Sequence, residues 1–305
     1  MDMEKRELRA SLLLLLTAAI WGFAFVAQQV GAQFVGAFTF NGIRFALGSI
    51  SLIPLILFLD KKDKSKEEKI VYEHPLKLGI MAGCVLFLGA TLQQVGLAYT
   101  TAGKAAFITG LYIVLVPIFG IFLKQHIKIN AWIGVAIAAI GLYFLSVTEG
   151  FTIAKGDLIE IIGAVFWAMH ILLIDNFTKR VNPLKLSCIQ FATCSVLSVG
   201  AALLFESISI AAISQALIPI LYGGLFSVGI AYTLQVVAQK DAKPSRAAVI
   251  LSMEAVFGAI GGALLLGENL GIRAYFGCAL MLAGMLLVQV QFGGKKENTI
   301  EAKEG

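Results

Sequence analysis

Charge is the scarcest commodity in this sequence. Only 14% of its 305 residues are Asp, Glu, Lys or Arg, where soluble domains carry about a quarter. With 58% apolar residues, the chain cannot cover a globule with a solvated surface, and it reads as a polytopic membrane protein. Long polar connections are missing too, which excludes an attached soluble domain and with it an ATP-driven pump. The four cysteines, Cys84, Cys188, Cys194 and Cys278, all fall inside apolar runs, so neither a disulfide framework nor a CxxC metal pattern is available. Histidine is limited to three residues, of which His74 and His126 lie in or near loops. GxSxG, HExxH and Walker patterns are absent. An enzyme acting on a lipid would need a cluster of acids or histidines at one interface, and none is dense enough. No enzyme activity, cofactor or metal is expected.

What the chain does have is apolar length. Ten runs approach the roughly 20 residues that span a bilayer core: 9–29, 38–59, 76–98, 103–123, 130–148, 157–176, 184–206, 215–237, 244–266 and 272–292. The first follows Lys5, Arg6 and Arg9 like a signal peptide. Its length and the nine runs behind it favour an uncleaved helix. If the N-terminus is cytoplasmic, 20 Lys and Arg fall on the inner side and only Lys104, Lys155 and Arg273 on the outer, with Arg44 inside the second run. That asymmetry sets orientation. Both termini are expected in the cytoplasm of a cell-membrane protein, and the net charge of +5 reflects topology, not nucleic-acid binding. The mixed-charge segment Leu59 to Pro75 reads as a solvated cytoplasmic loop, with a lipid-headgroup or regulatory contact as the alternative. Residues 293–305 read as a disordered tail.

The runs also repeat. An offset of 146 residues lays Trp21 over Trp167 and NGIRFALGSI (Asn41 to Ile50) over SCIQFATCSV (Ser187 to Val196), with Ile43, Phe45, Ala46 and Ser49 recurring identically. An offset of 142 pairs Leu92 and Gln93 with Leu234 and Gln235, and Lys104 to Ala106 with Arg246 to Ala248; 143 pairs Gly134 and Gly141 with Gly277 and Gly284. Each copy holds five runs, an odd number, so the second must enter the membrane the other way up. The fold expected is an all-α membrane protein of ten transmembrane helices in two inverted five-helix repeats, 9–148 and 152–292. Such symmetry suits a secondary transporter with its site at the midplane. A channel remains the alternative.

The candidate site is organised around PSRAAVILSMEAVFGAIGGALLLGE, Pro244 to Glu268, which carries Glu254 near its middle. A charge at membrane depth costs about 2.5 to 3.5 kcal/mol on insertion scales and normally faces a bundle interior or wet cavity. Glu254 is a candidate for proton coupling or for holding a substrate ammonium; a structural acid is the competing account. In the sixth run Glu160, Trp167 and His170 share a side. His170 is a second candidate proton carrier, or a packing residue. Trp21 and Trp167 would stack on an aromatic or cationic substrate, or fill the bundle. Gln93, Gln94, Tyr232, Gln235 and Gln239 form polar stripes that line a passage or bond helices together. Gln28, Thr109 and Tyr112 are weaker cavity candidates, and Pro117 marks a kink in the fourth run. Arg44, near the outer end of the second run, is expected to snorkel to the interface; attracting a substrate carboxylate is the alternative.

The segments ILSMEAVFGAIGGALLLGE and GCALMLAGMLL, their first-half counterparts AFITGLYIVLVPIFGIFL and WIGVAIAAIGL, the Trp of AIWG and the NGIRF pattern together resemble the paired EamA domains of the drug/metabolite transporter superfamily. The resemblance covers Leu12 to Val290 and implies a ten-helix inverted-repeat fold and secondary transport, usually export, of small metabolites such as amino acids, by a monomer or weak dimer. The proline common just after the glutamate of the ninth helix is Ala255 here, which removes the sequence reason for a kink there.

Overall fold

The computed structural model describes residues 2–63, 75–99, 105, 108–125, 127–146, 155–266 and 271–289. The segment Leu59 to Pro75 falls mostly outside these, and the tail 293–305 wholly so. The described residues are predominantly helical and include no strand. In lipid the backbone must satisfy its own hydrogen bonds, and a helix does so within one segment.

Seven helices are long and apolar enough to cross a membrane, and three further apolar helices, Ile108–Phe122, Ile129–Leu145 and Ile272–Val288, are shorter. In chain order the elements are α1 (Asp2–Gly31), α2 (Ala37–Asp63), α3 (Pro75–Gly96), α4 (Tyr112–Phe122), α5 (Ile129–Ser146), α6 (Lys155–Phe177) and α7 (Pro183–Phe205). The short α8 (Ile210–Gln215) leads into α9 (Leu217–Gln239), followed by α10 (Pro244–Leu251), α11 (Glu254–Leu266) and α12 (Ile272–Gln289). Within α9 the stretch Tyr222–Tyr232 is wound as a π-helix, a form concentrated at functional sites.

Lipid tails are as apolar as leucine, so packing, not hydrophobic drive, brings these helices together. Glycine supplies it. A Cβ on Gly141 would lie 2.7 Å from the Gly277 carbonyl oxygen, and one on Gly134 would lie 2.8 Å from that of Gly284. The four glycines thus let α5 and α12 cross backbone to backbone, running antiparallel, with equivalent residues of the two repeats exchanging places. Helices α2 and α7 do the same through hydroxyls: Ser49 Oγ donates to the Cys188 carbonyl at 2.9 Å, and its repeat mate Ser195 donates to the Gly42 carbonyl at 2.8 Å. At one end of this pair Lys185 bridges to Asp60 at 2.9 Å. At the other, the Glu206 carboxylate accepts from the Phe38 and Thr39 amides at 2.8 Å and caps α2.

Helix α1 docks on the π stretch. Thr17 Oγ1 donates to the Ala231 carbonyl, Trp21 Nε1 to the Ser227 carbonyl, and Tyr222 Oη to the Ile20 carbonyl, at 3.0 to 3.2 Å. The buried core draws residues from every helix except the short α8, and buried polar side chains lie within it.

Candidate functional site

Two helices are interrupted at corresponding places in the repeats. Between α10 and α11 the ladder tightens: the Met253 amide bonds to the Ile250 carbonyl and the Ala255 amide to that of Ser252, both three residues back and both at 3.1 Å. Ser252 Oγ bonds to the Val249 carbonyl at 2.8 Å, a local competitor of helical pairing. The break therefore forms although Ala255 stands where proline is common. In the first half the Leu111 amide bonds to the Ile108 carbonyl at 3.1 Å and the Val114 amide to that of Leu111 at 2.9 Å. This interruption lies at Leu111, after Gly110. The kink expected at Pro117 is not where the helix breaks, since Pro117 sits inside the continuous α4.

The residue that follows each break is the first of a new helix: Tyr112 in α4, Glu254 in α11. They are 142 positions apart, the spacing that relates the repeats here, and they touch. Tyr112 Oη donates to Glu254 Oε1 at 3.0 Å, with both residues buried. Repeat mates bonded to each other must lie at the pseudo-twofold axis. A carboxylate on the first residue of a helix also meets that helix's positive dipole end.

Around this pair Trp21, Thr109, Trp167, Ile171, Tyr232, Gln235 and Leu251 close a cavity of about 30 Å³. That is room for a water or two, far below the 300 Å³ or more of a metabolite pocket. Side chains nearly fill the space at this place. Tyr232 is its central ring: Trp21 lies 4.4 Å away by centroids, Trp167 stacks at 6.1 Å, and Phe45 and Phe191 approach to 5.9 and 6.0 Å. Trp21 and Trp167 are repeat mates, as are Phe45 and Phe191; the mate of Tyr232 is Ala90, also fully buried. One large ring therefore sits where two equivalent pairs converge.

Two wall atoms are unmatched among the described residues, Trp167 Nε1 and Gln235 Oε1. The amide of Gln235 donates instead to Gln239 Oε1, and Gln239 to the Ile171 carbonyl, both at 2.9 Å. The stripe on α9 thus both bonds helices and offers the cavity one acceptor.

Of the cavity candidates named from the sequence, Trp21, Thr109, Tyr112, Trp167, Tyr232, Gln235 and Glu254 line this cavity. Gln28, Gln93 and His170 do not. The carbonyl of Gln28 accepts from Gln94 Nε2 at 3.3 Å, Gln93 is buried in α3, and His170 Nε2 pairs with Gln190 Oε1 at 2.9 Å, edge-on to Trp167. Sequence reasoning placed Glu160 on the face of Trp167 without assigning it to the site. It is fully buried, its Oε2 accepts from Thr109 Oγ1 at 3.0 Å, and its Oε1 has no partner among the described residues. The signal was available, since it is a second acid at membrane depth. Arg44 corrects the snorkelling expectation outright: it is 2% exposed.

On the face that holds Glu7, a second cavity of about 330 Å³ is lined by Gln125, Lys128, Asn130, Asp175, Lys179, Lys243 and Arg246 among others. Arg246 Nη1 bonds to Glu7 Oε2 there at 2.7 Å. Helix α10 joins the two cavities, with Arg246 at its start and Glu254 just past its end. Among the described residues, no group of three or more His, Cys, Asp or Glu is placed to hold a metal.

With this geometry in hand, comparison with known proteins is decisive. The model of the EamA-like transporter family matches residues 8–147 and again 154–290. The chain belongs to the EamA-like transporter family. This EamA protein is a multi-pass membrane protein of the drug/metabolite transporter superfamily. It is 32% identical over 292 residues to an uncharacterized transporter of Archaeoglobus fulgidus, covering 94% of this chain and 87% of the relative. It is 24% identical over 284 residues to the uncharacterized transporter YoaV of Bacillus subtilis, covering 91% and 95% of the two chains. A solved crystal structure shares the fold with a TM-score of 0.76 at 18% identity, over 91% of this chain and 94% of that one.

Proposed function

We propose that this EamA protein is a secondary transporter with ten spans in two inverted five-helix repeats and both termini in the cytoplasm. It works by alternating access in the cell membrane, as a monomer or weak dimer, and exports a small metabolite bearing an ammonium group, amino acids among them. The observation that carries the reading is the bond between Tyr112 and Glu254, repeat mates at the first residues beyond two helix breaks. Interrupted helices at matching positions are the strongest structural pointer to a transporter's binding site.

Inversion is supported by the antiparallel crossings α2/α7 and α5/α12, in which equivalent residues exchange partners. The ammonium preference is supported by one carboxylate among the faces of Trp21, Trp167 and Tyr232, since aromatic faces attract cations. Closure to about 30 Å³ is what a carrier needs between its two open forms, and it supports a carrier over a pore. In this mechanism Glu254 exchanges a proton for the cargo: protonated it releases the ammonium, and ionised it rebinds one.

The test is uptake and counterflow in proteoliposomes against amino acids and amines, with and without an imposed pH gradient. Saturable counterflow accelerated by the gradient is expected, and Glu254→Gln should abolish the acceleration. Flux that neither saturates nor shows counterflow would favour the channel reading. An unchanged pH dependence in the variant would remove Glu254 from coupling.

A further inference from the structure

Arg44 is a cation 2% exposed on α2, and among the described residues it forms no ion pair. Its Nε donates to Asn41 Oδ1 at 2.9 Å. None of its other four N–H groups is matched to an acceptor among those residues. The guanidinium lies over the Phe45 ring at 4.8 Å and near the Phe40 ring at 5.6 Å. Asn41 is itself fixed, its Nδ2 donating to the Ala90 carbonyl at 3.1 Å. The fork is thus oriented from behind by a positioned amide while its donor end is left without an anion. An unpaired charge at membrane depth is costly, and two rings and one amide oxygen compensate it only in part.

Packing does not demand this charge, and the second repeat provides the control. The residue equivalent to Arg44 is Gln190, a neutral side chain that pairs with His170. Its flanking phenylalanine and serine, Phe191 and Ser195, match Phe45 and Ser49 of the first repeat. The same fold position holds a neutral side chain in one repeat and a cation in the other.

Phe45 connects the cation to the cavity. Its ring covers Arg44 on one side and touches the Tyr232 ring at 5.9 Å on the other, and Tyr232 lines the cavity of Glu254. The stem of Arg44 runs along Gly223 of the π stretch, where a Cβ would stand 3.4 Å from its Cδ. Phe45 thus stands between the guanidinium and the cavity.

We propose that Arg44 is an oxyanion subsite screened by Phe45 in this structure, and that the cargo carries a carboxylate or phosphate in addition to its ammonium group. This rests on the transport reading above and adds a second recognition point to the same site. Arg44 holds the anionic end by its planar fork while Glu254 and the rings hold the cationic end.

The experiment is counterflow by the full chain in proteoliposomes with matched pairs: each L-amino acid against its decarboxylated amine, and phosphoethanolamine against ethanolamine. The wild-type protein is expected to half-saturate at least about tenfold lower with one class of anion-bearing member, as a charge-assisted bidentate contact allows. Which pairs show the preference separates carboxylate from phosphate. In Arg44→Gln, the side chain used by the other repeat, the preference should vanish through weaker handling of the anion-bearing member, the amine staying within about twofold. Arg44→Lys, which keeps the charge and loses the fork, should restore part of it. If Arg44→Gln does not yield folded protein by thermal melting, the partial, anion-selective loss in Arg44→Lys carries the test. Equal loss for both members, an unchanged preference in the variants, or a wild-type preference for the amine would overturn the subsite and leave transport standing. Wild-type protein that moves no member of the panel would overturn the transport reading and the subsite with it, a failure visible before any variant is compared.

Discussion

Thr109 and Tyr112 show how single hydroxyls can hold two buried acids in place. Three residues apart, they donate to Glu160 on α6 and Glu254 on α11 respectively. Thr109→Val leaves a buried carboxylate without its donor and should destabilise the protein by about 1 to 3 kcal/mol, whereas Thr109→Ser should sit near wild type; thermal melting in detergent separates them. Tyr112→Phe should cost about 1 kcal/mol, the scale of a hydrogen bond between membrane helices, and should alter the pH profile of transport more than its maximum rate. At this scale the sequence was informative about residue type and poor about neighbourhood. Glu254 and the two tryptophans were legible because an acid and a large ring are conspicuous in an apolar run. Arg44 was misread because its distance from the helix end suggested an escape to the interface, while the rings of Phe40 and Phe45 hold it inside. The offset of 142 residues that relates Lys104–Ala106 to Arg246–Ala248 also relates Tyr112 to Glu254 two turns on, but an offset alone does not say that mates touch.

The elements depend on glycine where they touch and on shortened backbone hydrogen-bond turns where they bend. Gly141→Leu forces side-chain atoms into the Gly277 carbonyl of α12 and should lower stability by about 1 to 3 kcal/mol, the usual cost of overpacking. Gly200→Ala in α7, where a Cβ would meet nothing within 4 Å, should be neutral or stabilising by up to about 1 kcal/mol through helix propensity. The same melting assay reads both. Helix positions were legible because span length and apolar content are properties of the local chain. The break at Ser252 and Met253 and the π winding of Tyr222–Tyr232 were not. Neither carries a proline, and both are met by partners from other helices, Tyr112 from α4 and Thr17 and Trp21 from α1.

For the whole molecule, the proposed alternating-access cycle has the face holding Glu7 open and close. Cysteines introduced together at Glu7 and Arg246, in a background with Cys84, Cys188, Cys194 and Cys278 replaced, should be bridged by a short bis-methanethiosulfonate reagent that stops transport, and reductant should restore it. Transport that continues through the cross-link would mean that this face does not gate. The repeat was legible from identities at offsets of 142 to 146 residues, while the expectation of five helices per copy came from counting apolar runs. What the count cannot supply is how the copies meet.

They meet unequally. Tyr232 occupies the axis while its mate is Ala90, so the tryptophan and phenylalanine pairs of both repeats converge on a ring that only one repeat provides. Exchanging the conformations of the two halves cannot reproduce the same contacts, and the two end states must differ in energy. In the alternating-access cycle proposed above, the unloaded protein therefore has a preferred resting side. Tyr232→Ala makes the axis more nearly equal and should bring the two populations closer, as spin-label distances across each face would record. A thermodynamic bias of this kind cannot move cargo uphill, but it fixes which side of the membrane the empty site faces while it waits.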